Sequence, residues 1–181
     1  KMTVRFFNKA TETMSRDHLA HHQYEKLERL LARLNGKNRF YTSKFDQAGI
    51  KPEDIRSLED ISNLPLTTKD ELVEAQAADP PLGTNATYHK SEYVRFHQTS
   101  GTTGVPLRVL DMDESWEWWG RCWGHVFAAA GISAEDRIFF AFSFGPFIGF
   151  WSAVEGARRM GSMMIPGGGG DSSQRLDRKN T

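Results

Sequence analysis

The residues best suited to chemistry in this 181-residue chain stand together at Thr99-Ser100-Gly101-Thr102-Thr103-Gly104-Val105-Pro106. Small hydroxyl side chains sit there beside glycines whose bare backbone lets N–H groups approach a ligand, a combination that suits phosphate oxygens. The G-x-x-x-x-G-K-[ST] pattern is missing, so a phosphate loop with a lysine directly after its glycine is not supported. Composition alone favours an ordinary turn between strands, with phosphate binding as the alternative. Lys69 follows a helix cap and could reach a phosphate, although a solvated lysine at a helix start is the plainer reading. His18 and His22 stand four apart without the glutamate of an H-E-x-x-H zinc site. His97, two residues ahead of the loop, reads as a satisfied, partly buried histidine, with orienting loop groups as the alternative. Cys122, with no paired histidine or positive helix end in view, reads as a buried apolar residue.

The elements that must position these residues follow from periodicity. Ala20, Tyr24, Leu27, Leu31 and Leu34 recur at spacings of four and three, which predicts a helix over 16–34 with Ser15 at its start and Gly36 near its end. Ser57 and Asp60 open a short helical turn, and Thr68 with Glu71 forms a capping box for a helix to about Ala77. The first eighty residues therefore read as a helical region, closed by Pro80, Pro81, Gly83 and Thr84, with 81–92 as linker. Alternation then sets in, predicting strands near 93–98, 107–110, 136–142 and 162–165. A helix rich in tryptophan, capped by Asp111 or Asp113 and ended by Gly131, and a second from about Phe147 to Met160 separate the later strands. The fold class is α/β: a helical head, then an incomplete βαβ-type subdomain over 93–166 that carries the loop. Gly167 to Gly170 reads as loop, and 167–181 as a Gly-rich, polar tail.

Charge narrows the partners. Lys plus Arg equals Asp plus Glu at 23 each, which gives no excess toward a nucleic-acid backbone or an anionic membrane. A single cysteine, no leader and no membrane-length apolar run make the cytoplasm the expected compartment. Aromatic residues gather in the second half, so a larger core, an aromatic ligand pocket or another surface must cover them.

The uninterrupted T-S-G-T-T-G-x-P resembles the signature of the AMP-forming adenylating enzymes. Glu12 to Arg16, Phe40-Tyr41 with Phe45-Asp46 and Ala48-Gly49, and Leu64-Pro-Leu-Thr-Thr-Lys-Asp-Glu-Leu72 resemble the phenylacetate–CoA ligase branch of that superfamily, as does Ala141-Phe-Ser-Phe-Gly-Pro-Phe147. The resemblance implies an acid–CoA ligase that uses ATP and Mg, with coenzyme A as co-substrate and a small, aromatic carboxylic acid as the group activated. It implies phosphate binding by Thr99, Ser100, Gly101, Thr102, Thr103 and Gly104, with Lys69 added, and an acid pocket lined by Phe142 and Phe147. The family's Mg-side glutamate, ribose-binding aspartate and C-terminal lysine have no counterpart in this sequence. The expected chain is thus an N-terminal portion, completed by a missing C-terminal part or associating with itself. A non-catalytic nucleotide- or acid-binding module, or a structural fragment, are the other readings.

Overall fold

The computed structural model describes residues 5–101, 104–169, 171, 173 and 174. Six α-helices are assigned among them: α1 (Lys9–Glu12), α2 (Arg16–Leu34), α3 (Arg39–Ala48), α4 (Lys69–Ala78), α5 (Asp113–Ala129) and α6 (Ile148–Met160). Four short strands accompany them: β1 (Arg95–Gln98), β2 (Arg108–Asp111), β3 (Arg137–Phe140) and β4 (Met163–Pro166). β1 and β2 make one two-stranded sheet, β3 and β4 another. The chain divides into two compact units, one of residues 1–12, 94–100 and 111–181, the other of 13–93 and 101–110.

The unit built from 13–93 and 101–110 has a helical core. Leu31 of α2, Phe45 of α3 and Ile55 are buried together, with Leu27, Leu34, Tyr41, Ile50 and Leu64 packed around them. The apolar stripe read from the sequence thus meets α3, a helix that periodicity did not single out. Its start is set by Asn38, almost fully buried, whose side-chain oxygen accepts from the Tyr41 N–H at 2.9 Å. The same side chain donates to the Asn85 carbonyl at 2.8 Å and to Thr87 Oγ1 at 2.9 Å, so one buried amide caps a helix and anchors the 84–88 segment. Ser15 caps α2 and the Thr68–Glu71 box caps α4, as the sequence indicates.

The other unit is an α/β layer. β3 and β4 run parallel in register from Arg137 opposite Met163 to Phe140 opposite Pro166, joined through α6. That is the βαβ crossover expected of strands separated by a helix. α5 packs on α6, and Phe127, Phe140, Ala153 and Ala157 form the buried core. Small residues permit this approach: a Cβ on Gly156 would collide with Trp123, and one on Gly124 would meet the Phe7 ring at 2.6 Å. Neither Asp111 nor Asp113 caps α5. Met112 holds the cap position without a side-chain bond, while Asp111 is the buried end of β2 and accepts from Ser115 Oγ at 2.9 Å. Glycine does end the helix, Gly131 taking φ +81° just beyond the cap. Cys122 is half-buried rather than buried.

Candidate functional site

The loop begins where β1 ends, at Thr99, half-buried, and Ser100, exposed. In the helical unit, Gly101 adopts φ +67°, and a Cβ there would stand 2.8 Å from Pro106 Cγ. Only glycine accepts that combination of conformation and closeness. The Gly104 N–H donates to the Gly101 carbonyl at 3.0 Å, so it is engaged within the loop. Thr102 and Thr103, the central hydroxyls of the sequence reading, lie outside the described residues. Lys69 is the first residue of α4 and is exposed, with no bond to Gly101 or Gly104 among the described residues. The lysine paired near this helix start is Lys44, 2.7 Å from Glu71 and stacked 5.5 Å above the Phe40 ring. Hydrogen bonds from Lys44 and then from the Thr68 N–H hold Glu71 below the usual carboxylate range.

Downstream of the loop, Gln76 fixes the start of β2. Its amide donates to the Arg108 carbonyl at 2.7 Å and accepts the Arg108 N–H at 3.0 Å.

In the α/β unit the aromatic turn after β3 is well defined. Phe142 stacks on Phe150 at 4.3 Å between centroids, and Phe147 stands edge-on to the same ring at 6.0 Å. Phe150 thus joins the two acid-pocket candidates. Its position three residues after Phe147, on the first turns of α6, is the sequence signal that could have found it. Phe142 also packs on Phe140 and Phe144 beside the core, whereas Phe147 is exposed. Trp151 Nε1–H donates to the Gly145 carbonyl at 2.9 Å and holds the turn closed. Gly167 and Gly168 pass directly over it: a Cβ on Gly167 would lie 2.7 Å from the Phe140 carbonyl oxygen, and one on Gly168 3.0 Å from that of Phe142. Read from composition as a loop, the run forms no helix or strand over 167–169, and its first two glycines are close-packed.

His97 departs most from its sequence reading. Only 4% exposed, it stacks on Trp116 with ring centroids 5.2 Å apart and 14° between planes. Its Nδ1 has no hydrogen-bond partner, nor does Asp111 Oδ2, which faces it at 3.9 Å. A cleft of about 480 Å³ opens beside it, lined by Arg95, Phe96, His97, Trp116, Pro146, Trp151, Val154 and Glu155. Burial pushes the His97 imidazole below its ordinary range, Asp111 opposes this and Arg95 adds to it. Among the described residues no group of three or more His, Cys, Asp or Glu side chains converges as a metal site, and no helix is long and apolar enough to cross a membrane.

Sequence comparison finds phenylacetate–coenzyme A ligases. The chain is 35% identical to that of Escherichia coli (strain K12) over 163 residues, 90% of this chain and 36% of the relative. It is 32% identical to that of Pseudomonas putida over 165 residues, with the same 36% of the relative covered. By sequence the chain is a relative of the phenylacetate–coenzyme A ligases. It spans about a third of the length of the curated relatives it matches. Among solved structures, 2-hydroxyisobutyryl-CoA ligase in complex with 2-HIB-AMP and CoA matches with a TM-score of 0.82 at 29% identity, covering 90% of this chain and 34% of that one. The fold is therefore part of an adenylate-forming ligase fold, as the resemblance implied, and its α/β layer is the class read from periodicity. No family model matches the chain.

Proposed function

We propose that the chain supplies the nucleotide-phosphate loop and one wall of the acid pocket of an ATP-dependent, AMP-forming acid–CoA ligase, acting on a small carboxylic acid with an aromatic side chain in the cytoplasm. The observation that carries this reading is the Thr99–Pro106 loop, set between β1 and β2 in a chain related to phenylacetate–CoA ligases. The solved relative bound to an acyl-adenylate and CoA supports it further. In the reaction, a carboxylate oxygen attacks the α-phosphorus of ATP and displaces pyrophosphate; the CoA thiolate then attacks the acyl carbonyl and AMP leaves.

Both steps concentrate negative charge, so oriented donors near the leaving phosphates lower the barrier. Ser100, Thr102 and Thr103 are the proposed hydroxyl donors to the β- and γ-phosphates, with Thr99 completing the strand exit. Gly101 and Gly104 are the proposed points of close backbone approach to the phosphates. Lys69, exposed at the start of α4, is the proposed additional phosphate cation. Phe142 and Phe147, with Phe150 behind them, would take the acid's ring by stacking. Hydroxyl donors beside glycines are of a kind that suits the phosphates of ATP. Mg²⁺ would accompany the phosphates and supply positive charge there.

ATP–pyrophosphate exchange with phenylacetate, measured on the 181-residue chain and on the intact native gene product whose mass has been determined, tests the reading. Exchange by the intact product, lost on replacing Thr102 and Thr103 together by alanine, is expected. The 181-residue chain by itself is expected to make no acyl-CoA. Exchange at an unchanged rate in the double variant would sink the phosphate-loop assignment. An intact product that binds ATP but never forms adenylate would favour a binding module instead.

A further inference from the structure

Two buried polar atoms face one another without partners in the α/β unit: His97 Nδ1 and Asp111 Oδ2, 3.9 Å apart. Leaving both unsatisfied is costly, and more so for a charged group. Their shared surroundings allow one economical resolution. A movement of about 1 Å brings the pair to the 2.7–2.9 Å of a charge-assisted bond. Asp111 is held for this by its other oxygen, which lies 2.9 Å from Ser115 Oγ; the single Ser115 hydroxyl proton is within reach of this oxygen and of the Met112 carbonyl at 3.0 Å. The imidazole plane is fixed by its stack on Trp116, and its strand by the Val94 N–H donating to the Asp111 carbonyl at 2.9 Å.

We infer that Ser115, Asp111 and His97 form a relay that fixes His97 as the neutral tautomer protonated at Nδ1, leaving Nε2 as a hydrogen-bond acceptor for the adjoining cleft. Nδ1 is sealed from solvent, so Nε2 is the ring nitrogen that remains for the cleft lined by Arg95, Trp116, Pro146, Trp151 and Glu155. An acceptor in that position takes an O–H or N–H group, whereas a protonated ring would repel the Arg95 guanidinium beside it. The charged groups facing the ring are Arg95 from its own strand, Asp111 from β2 and, across the cleft, Glu155 of α6. Glu155 is already engaged by Arg158 at 2.7 Å and Arg159 at 3.1 Å, so Asp111 is the carboxylate free to set the tautomer. Burial, which disfavours the charged ring, acts in the same sense. His97 is thus a positioning residue at the end of the strand that delivers Thr99 and Ser100, and its tautomer does not depend on whether the loop binds ATP.

The test is nitrogen-15 NMR of histidine side chains in the 181-residue chain at neutral pH, with His97 assigned by the His97→Asn variant. The expected signature is a protonated Nδ1 and an unprotonated Nε2, with the Nδ1 proton shifted downfield by a charged acceptor. Asp111→Asn should abolish that downfield proton and move the population toward the Nε2–H tautomer; Ser115→Ala should weaken it in the same direction. A wild-type ring protonated at Nε2, or one doubly protonated at neutral pH, overturns the inference whatever the variants do. So does an Asp111→Asn chain that keeps the wild-type His97 signals.

Discussion

Gln76 treats Arg108 as a neighbouring strand would, its side-chain amide giving one hydrogen bond to the carbonyl and taking one from the N–H of the same residue. The amide is itself buried, and Gly83 makes room for it: a Cβ on Gly83 would lie 2.9 Å from both Cα and Cγ of Gln76. A helix thereby satisfies the backbone of the first residue of β2, immediately after the loop.

Replacing Gln76 by alanine leaves both backbone groups of Arg108 to find other partners. Equilibrium urea unfolding is expected to show a loss of about 1–3 kcal/mol. Gln76→Glu keeps the acceptor but sets a carboxylate against the Arg108 carbonyl, so it should be no better than alanine. A variant as stable as the parent would mean that the clasp contributes nothing.

Gly156 gives a test in which two effects point in opposite directions. In an exposed helix, glycine to alanine adds about 1 kcal/mol of stability. Here the new methyl would press on Trp123 at the α5–α6 contact, and overpacking of that kind costs about 1–3 kcal/mol. The contact should win, so Gly156→Ala is expected to lower the thermal midpoint. A raised midpoint would show that the helices separate freely.

Much of this was legible in the sequence, and the parts that were not share a cause. The α2 stripe, the Thr68–Glu71 box and the crossover around α6 each announce themselves through spacing local to one element. α3 did not, because Tyr41 and Phe45 are its few core-facing residues and its start rests on Asn38, whose other partners at Asn85 and Thr87 are far along the chain. The role of Asp111 was misread for a related reason. As a residue ahead of a helix it looks like a cap, but it is buried against a histidine from another strand, a relation that helix spacing does not contain. The loop's residue types were plain, whereas the engagement of the Gly104 N–H within the loop required its turn geometry.

Folding stability should respond to pH through His97. Its protonation in the folded chain is pushed below the ordinary range, chiefly by burial. As pH falls through about 6.5 the unfolded chain therefore takes up the proton first, and stability declines until the folded-state midpoint is passed. His97→Phe, which keeps a ring for Trp116, should flatten that part of the profile. Denaturant midpoints for both proteins between about pH 7.5 and about pH 5 make the comparison; parallel profiles would remove His97 as the source.

Gly101→Ala should act on the loop while sparing the helical core. Alanine at φ +67° against Pro106 forces the turn to shift, a strain of about 1–3 kcal/mol at most. Calorimetric titration with ATP is expected to show affinity reduced by roughly tenfold or more, equivalent to about 1.4 kcal/mol. Equal affinities in parent and variant would detach the Gly101 turn from nucleotide binding.

The chain's beginning also meets residues far along it: Glu12 Oε1 stands 3.0 Å from the His125 ring, and Phe7 fills the notch at Gly124. During synthesis those first residues leave the ribosome more than a hundred codons before the helix that receives them. At about 5–20 residues per second the wait is on the order of ten seconds. Throughout that interval Phe7 has no α5 to rest on. The α/β unit is thus assembled late, while residues 13–93 have already emerged. A ribosome-bound series of growing length should show Phe7 becoming protected only after the whole of α5 has cleared the exit tunnel.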